Sequence, residues 1–398
     1  MRIVFTAVIT AILFCGLSSR AVADQKPVKV FVLVGQSNMQ GHAKISTLSH
    51  IGMDPRTMRL QLAIESDNGV PRVFDDIWIS SLSTSGVRTG MLTAGFGADE
   101  NKIGPELTFG IFTQQRLGQP IVIIKTAWGG KSLHTDFRSP SAGPFQFSEQ
   151  QIQRFNQQNK DVDAIKAEKK KATGHYYRQM IQHVQKVLAN LKDVYPDYDA
   201  ADGYELSGMV WFQGWNDMVD GGIYPDRGKP GGYEAYSKLL AHFIRDVRKD
   251  LASPKLPFVI GVMGVGGPVD QYLPSQQRYS AIHQGFRDAM AAPAELPEFK
   301  GNVKTVLTEK YWDLELHLLR AKEAKVKQEV NKLKKEGKLD RAAVQVAEEE
   351  LRAKEFTDRE TQILKAGVSN AEYHYLGCAK IMAQIGKAFS DALAVDEN

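Results

Sequence analysis

VKVFVLVGQSNMQG, residues 28–41, decides how the chain is read. Apart from Lys29, positions 28–34 are apolar and rich in β-branched residues. That pattern belongs to a strand covered on both faces, as in a parallel sheet. At Gly35 the pattern breaks, and Gln36, Ser37 and Asn38 follow at once. Glycine lets the chain turn sharply there without a Cβ clash. Ser37 then stands just beyond the carboxyl end of a central strand, where open α/β sheets place their ligands. A serine in that place heads a helix whose first N–H groups are free to bind an anion. One turn thus offers a nucleophile and half of an oxyanion site. The same residue also suits a plain helix N-cap.

Working outward, four more stretches repeat the theme of a buried strand. Residues 119–125 (QPIVIIK) lead into Thr126-Ala127-Trp128-Gly129-Gly130-Lys131-Ser132, and residues 208–212 (GMVWF) into Gln213-Gly214-Trp215-Asn216-Asp217. Residues 257–262 precede the glycine loop 264–267, and residues 303–307 form a fifth strand. A short strand is expected over 76–79, and a long Gly-, Ser- and Thr-rich loop over 80–101. Between the strands lie helical patterns. One starts at Gly104-Pro105-Glu106, with proline placed just inside the start. Others cover much of 150–194, then 233–250, 278–290 and 379–394. Alternating strands and helices give an α/β fold with a mostly parallel sheet and right-handed crossovers. Several glycine turns then share one sheet edge, and the site belongs there.

Residues 315–365 differ. They hold no proline, one glycine (Gly337) and dense mixed charge. Leu319, Val326, Val330 and Leu333, then Val344, Ala347 and Leu351, keep a coiled-coil-like rhythm. This reads as an inserted helical hairpin: either a solvated helix pair or a docking arm for a protein partner that the sequence leaves unnamed.

The chain has 398 residues, 43% hydrophobic and 24% charged, with a formal net charge of +4. No basic patch interleaves with aromatics, so nucleic acid is not an expected partner. Residues 1–23 read as a signal peptide: Arg2, an apolar run over 3–17, and the small-x-small site Ala21-Val22-Ala23. Cleavage is expected after Ala23, leaving a 24–398 domain that is secreted or periplasmic and holds no membrane span. Cys15 raises the alternative of a lipid anchor, beside a bulky Phe14. With Cys15 removed, Cys378 is alone and no intrachain disulfide is possible.

Acyl transfer needs a nucleophile, a base and oxyanion donors. Ser37 is the nucleophile candidate, Gly129 or Gly130 offers a backbone N–H, and Asn216 offers a side-chain amide. Among nine histidines, His374 stands out, in a turn between the charged insert and the last helix. His42, five positions after Ser37, is its rival. Trp128, Trp211 and Trp215 lie close to the site loops and suit either sugar stacking or the core. Gly264-Val265-Gly266-Gly267 lacks the third glycine of a dinucleotide fingerprint, and no His/Cys/Asp cluster has metal spacing. Neither cofactor nor metal is expected.

Gly35-Gln36-Ser37-Asn38-Met39 resembles the first block of the SGNH hydrolases, Trp128-Gly129-Gly130 the second, and Gly214-Trp215-Asn216-Asp217 the third. With Gly104-Pro105-Glu106 and Trp211-Phe212-Gln213-Gly214, the spelling resembles the sialate O-acetylesterase branch, related to carbohydrate esterase family six. The likeness runs from Val28 to the last helix, leaving out 315–365 and part of 150–171. It implies a three-layer α/β/α sandwich of flavodoxin-like type and an esterase that removes O-acetyl groups from a carbohydrate. It implies Ser37 as nucleophile, His374 as base, and Ser37 N–H, Gly129 or Gly130 N–H and Asn216 as oxyanion donors. Gln36, Gln213 and Trp215 are assigned to substrate binding. Two departures stand out: Ala371 replaces the aspartate three places before the histidine, and Trp215 replaces a glutamate. Asp217 is taken as the acid partner of His374, with Glu372, Asn370 or a main-chain carbonyl as substitutes. The missing acids also motivate an alternative, a non-catalytic carbohydrate-binding protein on the same fold.

Overall fold

The computed structural model describes residues 26–337 and 340–394; the expected signal segment with Cys15 lies outside them. Nine strands occur in chain order: β1 Val28–Gly35, β2 Ala43–Lys44, β3 Phe74–Ser83, β4 Gly86–Leu92, β5 Lys102–Ile103, β6 Ile121–Ala127, β7 Tyr204–Phe212, β8 Phe258–Val262 and β9 Val303–Leu307. Seven form one sheet in the order β4-β3-β6-β1-β7-β8-β9. All its pairings are parallel except β3 with β4.

The central strand is buried because both of its faces are covered. Val30, Val32 and Val34 are fully buried in β1, as are Ile121–Ile124 in β6. Consecutive residues on β7 identify the two covering layers, since neighbours on a strand point to opposite faces. Trp211 packs on Phe243 of the helix Glu234–Asp250, with ring centroids 4.3 Å apart. Phe212 packs on Phe389 of the last helix, Ala379–Ala392, at 5.4 Å. The architecture is therefore an α/β/α sandwich. The last helix also lies against Glu106–Leu117, where Thr108 donates to the Ala383 carbonyl at 2.7 Å. A Cβ on Gly386 would come within 2.2 Å of the Pro105 carbonyl oxygen, so glycine permits this close crossing.

One expectation about the sheet fails. The stretch read as a short strand followed by a long loop is a β-hairpin: β3 runs to Ser83 and β4 returns, Ser83 pairing with Gly86. β4 is an edge strand and half-exposed, so its polar Arg88 and Thr89 are compatible with pairing. Its hydroxyls and glycines give it the composition of a loop because much of it meets solvent. In the charged region the expected two-helix hairpin is replaced by three helices, Leu314–Lys335, Arg341–Glu355 and Asp358–Gly367, the chain breaking again at Phe356 and Thr357, where Thr357 caps the third. Leu319, Val326 and Val330 are buried there, and Glu323 pairs with Arg320 on its own helix and with Arg352 on the next, each at 2.7 Å, the second pair joining the two helices. Among the described residues, no helix is long and apolar enough to cross a membrane.

Register fixes where the site lies. Gly35 sits beside Ala127 on one neighbour and Phe212 on the other. The three strands end level, and their following turns share one edge.

Candidate active site

Gly35 makes the first turn possible by close approach. A Cβ there would stand 2.1 Å from the Phe212 carbonyl oxygen. Ser37 begins a one-turn helix, Ser37–Gln40, whose N-cap is Gln36. Ser37 is thus not the cap, and no group among the described residues hydrogen-bonds its hydroxyl. The position of a Cβ on Gly129 lies 3.8 Å from Ser37 Cβ, so the second turn runs directly beside the serine. Gly130, at φ +73°, keeps that turn in a left-handed conformation that side chains resist.

Gln36 ties the third turn to the first. Its Nε2 donates to Asn216 Oδ1 at 2.9 Å, and its Oε1 accepts from Gly214 N at 3.1 Å and Gln213 Nε2 at 3.2 Å. With Oδ1 occupied, Asn216 retains its Nδ2 hydrogens as donors. Gln213 is buried, donating also to the Lys131 carbonyl and Asp217 while accepting from Tyr236. Both glutamines were expected to bind substrate; their polar atoms are instead spent holding the loops together. Trp128 and Trp211 are likewise core residues. Trp215 alone of the three tryptophans remains partly exposed, packed on the exposed Tyr373 at 5.7 Å.

Asp217 does not stand behind His374. It is fully buried, and its carboxylate accepts from Leu133 N (2.7 Å), His134 N (3.1 Å), Gln213 Nε2 (2.7 Å) and Tyr224 Oη (3.1 Å). Its work is to bind the second turn to the third. The partner of His374 Nδ1 is Asn370, whose Oδ1 lies 3.1 Å away. This bond holds the proton on Nδ1 and leaves Nε2 as the basic nitrogen.

His374 reaches the edge through an unusual turn. Tyr375 and Leu376 follow it at φ +52° and +62°, a conformation costly for both side chains. Both are fully buried, and Tyr375 Oη accepts from Gly264 N at 2.8 Å and bonds Thr308 Oγ1 at 2.6 Å. Core packing therefore enforces the kink. On the site side, Asn38 Nδ2 donates to the Tyr373 carbonyl at 3.1 Å, joining residues 335 apart in sequence. His42 also arrives here: its ring lies flat on that of His374, centroids 4.1 Å apart and planes 2° from parallel. The imidazole of His374 is held down to about pKa 4, first by burial and then by the nearby Lys102 charge.

A buried ion pair, missed in the sequence, supports the serine turn. Lys125 Nζ donates to Glu106 Oε2 (2.7 Å), the Gln40 carbonyl (2.9 Å) and the Phe96 carbonyl (2.9 Å), while Glu106 Oε1 accepts from Gly104 N. A lysine ending an otherwise apolar buried strand was the available signal, since a charge there needs a partner.

His50, Asp313 and Cys378 bring three potential metal ligands within 4.8 Å of one another. They do not fit an ion. Asp313 Oδ2 is already taken by the Lys380 ammonium at 3.0 Å and by His50 Nε2 at 2.8 Å, so a cation is already in place beside the carboxylate.

The arrangement makes a defined forecast. Asn370→Asp puts a carboxylate against His374 Nδ1, which favours the imidazolium. The pKa of His374 is expected to rise by about 1 unit or more. A histidine NMR titration reads this directly.

Residues 27–284 match the family model described as carbohydrate esterase, sialic acid-specific acetylesterase. No curated protein matches the chain. Two solved structures are similar at low identity. A protein from Arabidopsis thaliana is 17% identical with a TM-score of 0.37, the match covering 71% of this chain and 86% of that one. A carbohydrate acetylesterase from Xanthomonas citri is 14% identical with a TM-score of 0.37, covering 70% of this chain and 49% of that one. This chain thus spans about half the length of the latter.

Proposed function

The chain belongs to the sialic acid-specific acetylesterase family of carbohydrate esterases and is a carboxylic ester hydrolase, and from that premise we propose that it removes O-acetyl groups from a sugar through Ser37 and His374. Ser37 Oγ attacks the acetyl carbonyl carbon while His374 Nε2 takes the hydroxyl proton. The oxyanion is received by Ser37 N–H, the Gly129 or Gly130 N–H, and Asn216 Nδ2–H. Collapse breaks the bond to the sugar oxygen, which leaves with the proton from His374. Water then attacks the acetyl-serine as His374 takes its proton; the bond to Ser37 Oγ breaks, Oγ recovers that proton from His374, and acetate is released. Asn370 steers the ring in place of an acid; a dyad of this kind forgoes the charge that stabilises imidazolium.

The observation that carries this reading is the Asn38–Tyr373 hydrogen bond, which seats the His374 turn against the residue following the serine. Trp215 and Tyr373 supply aromatic faces at the rim, suited to a sugar ring. The test is acetate release measured over O-acetylated sugars, lipid esters and thioesters. Sugar acetates are expected to be preferred; preference for a lipid or thioester would overturn the substrate assignment. The family match favours an enzyme over the non-catalytic binding protein. We also propose export after cleavage at Ala23, which the N-terminal sequence of the mature protein tests.

The pH dependence follows from the base. Only neutral His374 accepts a proton, and it stays neutral down to about pH 4. The acid limb of kcat/KM is therefore expected near pH 4, not near the 6.5 of a free histidine. A limb at 6.5 would remove His374, as placed here, from the role of base.

A further inference from the structure

We propose that His42 is a positioning residue: its ring clamps the imidazole of His374 in the plane the reaction needs. The inference rests on the assignment of His374 as base. One hydrogen bond, from Nδ1 to Asn370, fixes a direction but leaves the ring free to swing about it. Two aromatic contacts remove that freedom. His42 lies flat on the ring at 4.1 Å, and Tyr373 meets it at 4.5 Å with planes 66° apart.

His42 is itself held from both sides of the site. Gly41 N donates to the Ser37 carbonyl at 2.9 Å, and Ala98 N donates to the Gly41 carbonyl at 2.8 Å. Just beyond, Lys44 N donates to Ser369 Oγ at 3.0 Å, next to Asn370. The backbone carrying His42 thus bridges the serine turn and the histidine turn, and any shift of one is passed to the other.

The stack also answers a chemical need. His374 becomes an imidazolium during the reaction, and no carboxylate stands behind it. A neutral aromatic face favours a cation placed against it. His42 is neutral in the working range: burial first, then His374, Lys102 and Lys125, hold it down to about pKa 4, with Asp99 alone pulling upward. Two charged rings at 4.1 Å would repel; one neutral ring does not.

The test uses the full chain labelled with 15N-histidine, and three proteins: wild type, His42→Ala and His42→Phe. Phenylalanine keeps a flat ring but has no titratable nitrogen. In the wild type and in His42→Phe, neutral His374 is expected with its proton fixed on Nδ1. In His42→Ala, the two ring nitrogens are expected to shift toward averaged values. In kinetics, His42→Ala is expected to lose about ten- to a hundredfold in kcat with KM little changed, and His42→Phe to recover most of it. A His42→Ala protein that keeps the fixed tautomer overturns the proposal. So does a His42→Phe protein as averaged as His42→Ala, since the ring plane would then not be what matters. Should no acetyl ester be hydrolysed while the tautomer still averages in His42→Ala, the hydrolase mechanism fails and the clamp stands.

Discussion

Replacing Ser37 by alanine is expected to lower acetate release by about 10⁴-fold or more, with KM for the ester little changed. The change removes one hydroxyl that no described neighbour hydrogen-bonds, so the fold has nothing to lose. What remains is the oxyanion site and bound substrate, which by analogy with other serine hydrolases still exceed water by roughly 10³–10⁴. His374→Ala is expected to come close to the same floor, because nucleophile and base act as one unit. Asn216→Ala removes one of three oxyanion donors and is expected to cost about 10²–10³ in kcat. It also releases Gln36 Nε2 from its 2.9 Å bond, so part of that loss is positional. Steady-state rates on p-nitrophenyl acetate and on an O-acetylated sugar separate the three. Equal rates for Ser37→Ala and wild type would end the assignment. A wild-type rate for Asn216→Ala would remove only the oxyanion role.

The sequence made the frame of the site legible and hid most of its wiring. β1 could be read because both its faces are buried, so its apolar run is interrupted only by Lys29 near its start, and Gly35 could be read because the break falls at a strand end. The edge hairpin could not, since a half-exposed strand needs few apolar residues. Asp217, proposed as a substitute for the missing acid, and the two glutamines stand beside Asn216, Ser37 and Gly214 in the chain. Their real partners lie on other loops, 83 and 84 residues away for Asp217 and up to 180 for Gln36. Asn370 was only one of several substitutes for the missing acid. What selects it is the kink at Tyr375 and Leu376, a backbone conformation that residue types alone forbid rather than suggest. The stacking of His42 on His374 has no sequence signature, because it depends on two chain ends meeting at one edge.

The ion pair beneath the serine carries the second large effect. Lys125→Met is expected to destabilise the protein by about 3–5 kcal/mol, the usual result of stranding one partner of a buried pair. Both residues are essentially without solvent exposure, at 1% and 0% of their side-chain surface. The variant leaves the Glu106 carboxylate uncompensated and two carbonyls, of Gln40 and Phe96, without their donor. For a chain of this size the melting temperature should fall by roughly 4–6 °C. Glu106→Gln is expected to behave differently with pH. Burial already lowers the Lys125 pKa, and the Glu106 charge is what opposes it. Without that charge, Lys125 sheds its proton at lower pH in the folded state than in the unfolded one. The unfolded state then binds more protons, so stability must rise with pH. Thermal melts of Glu106→Gln should therefore climb from pH 7 to 9, and those of Lys125→Met should not. A double variant, Glu106→Leu with Lys125→Met, buries no charge and should regain much of the lost stability. It should not regain activity, because the Gln40 carbonyl at the end of the Ser37 helix still lacks its anchor. A double variant with full kcat would show that the pair serves the fold alone.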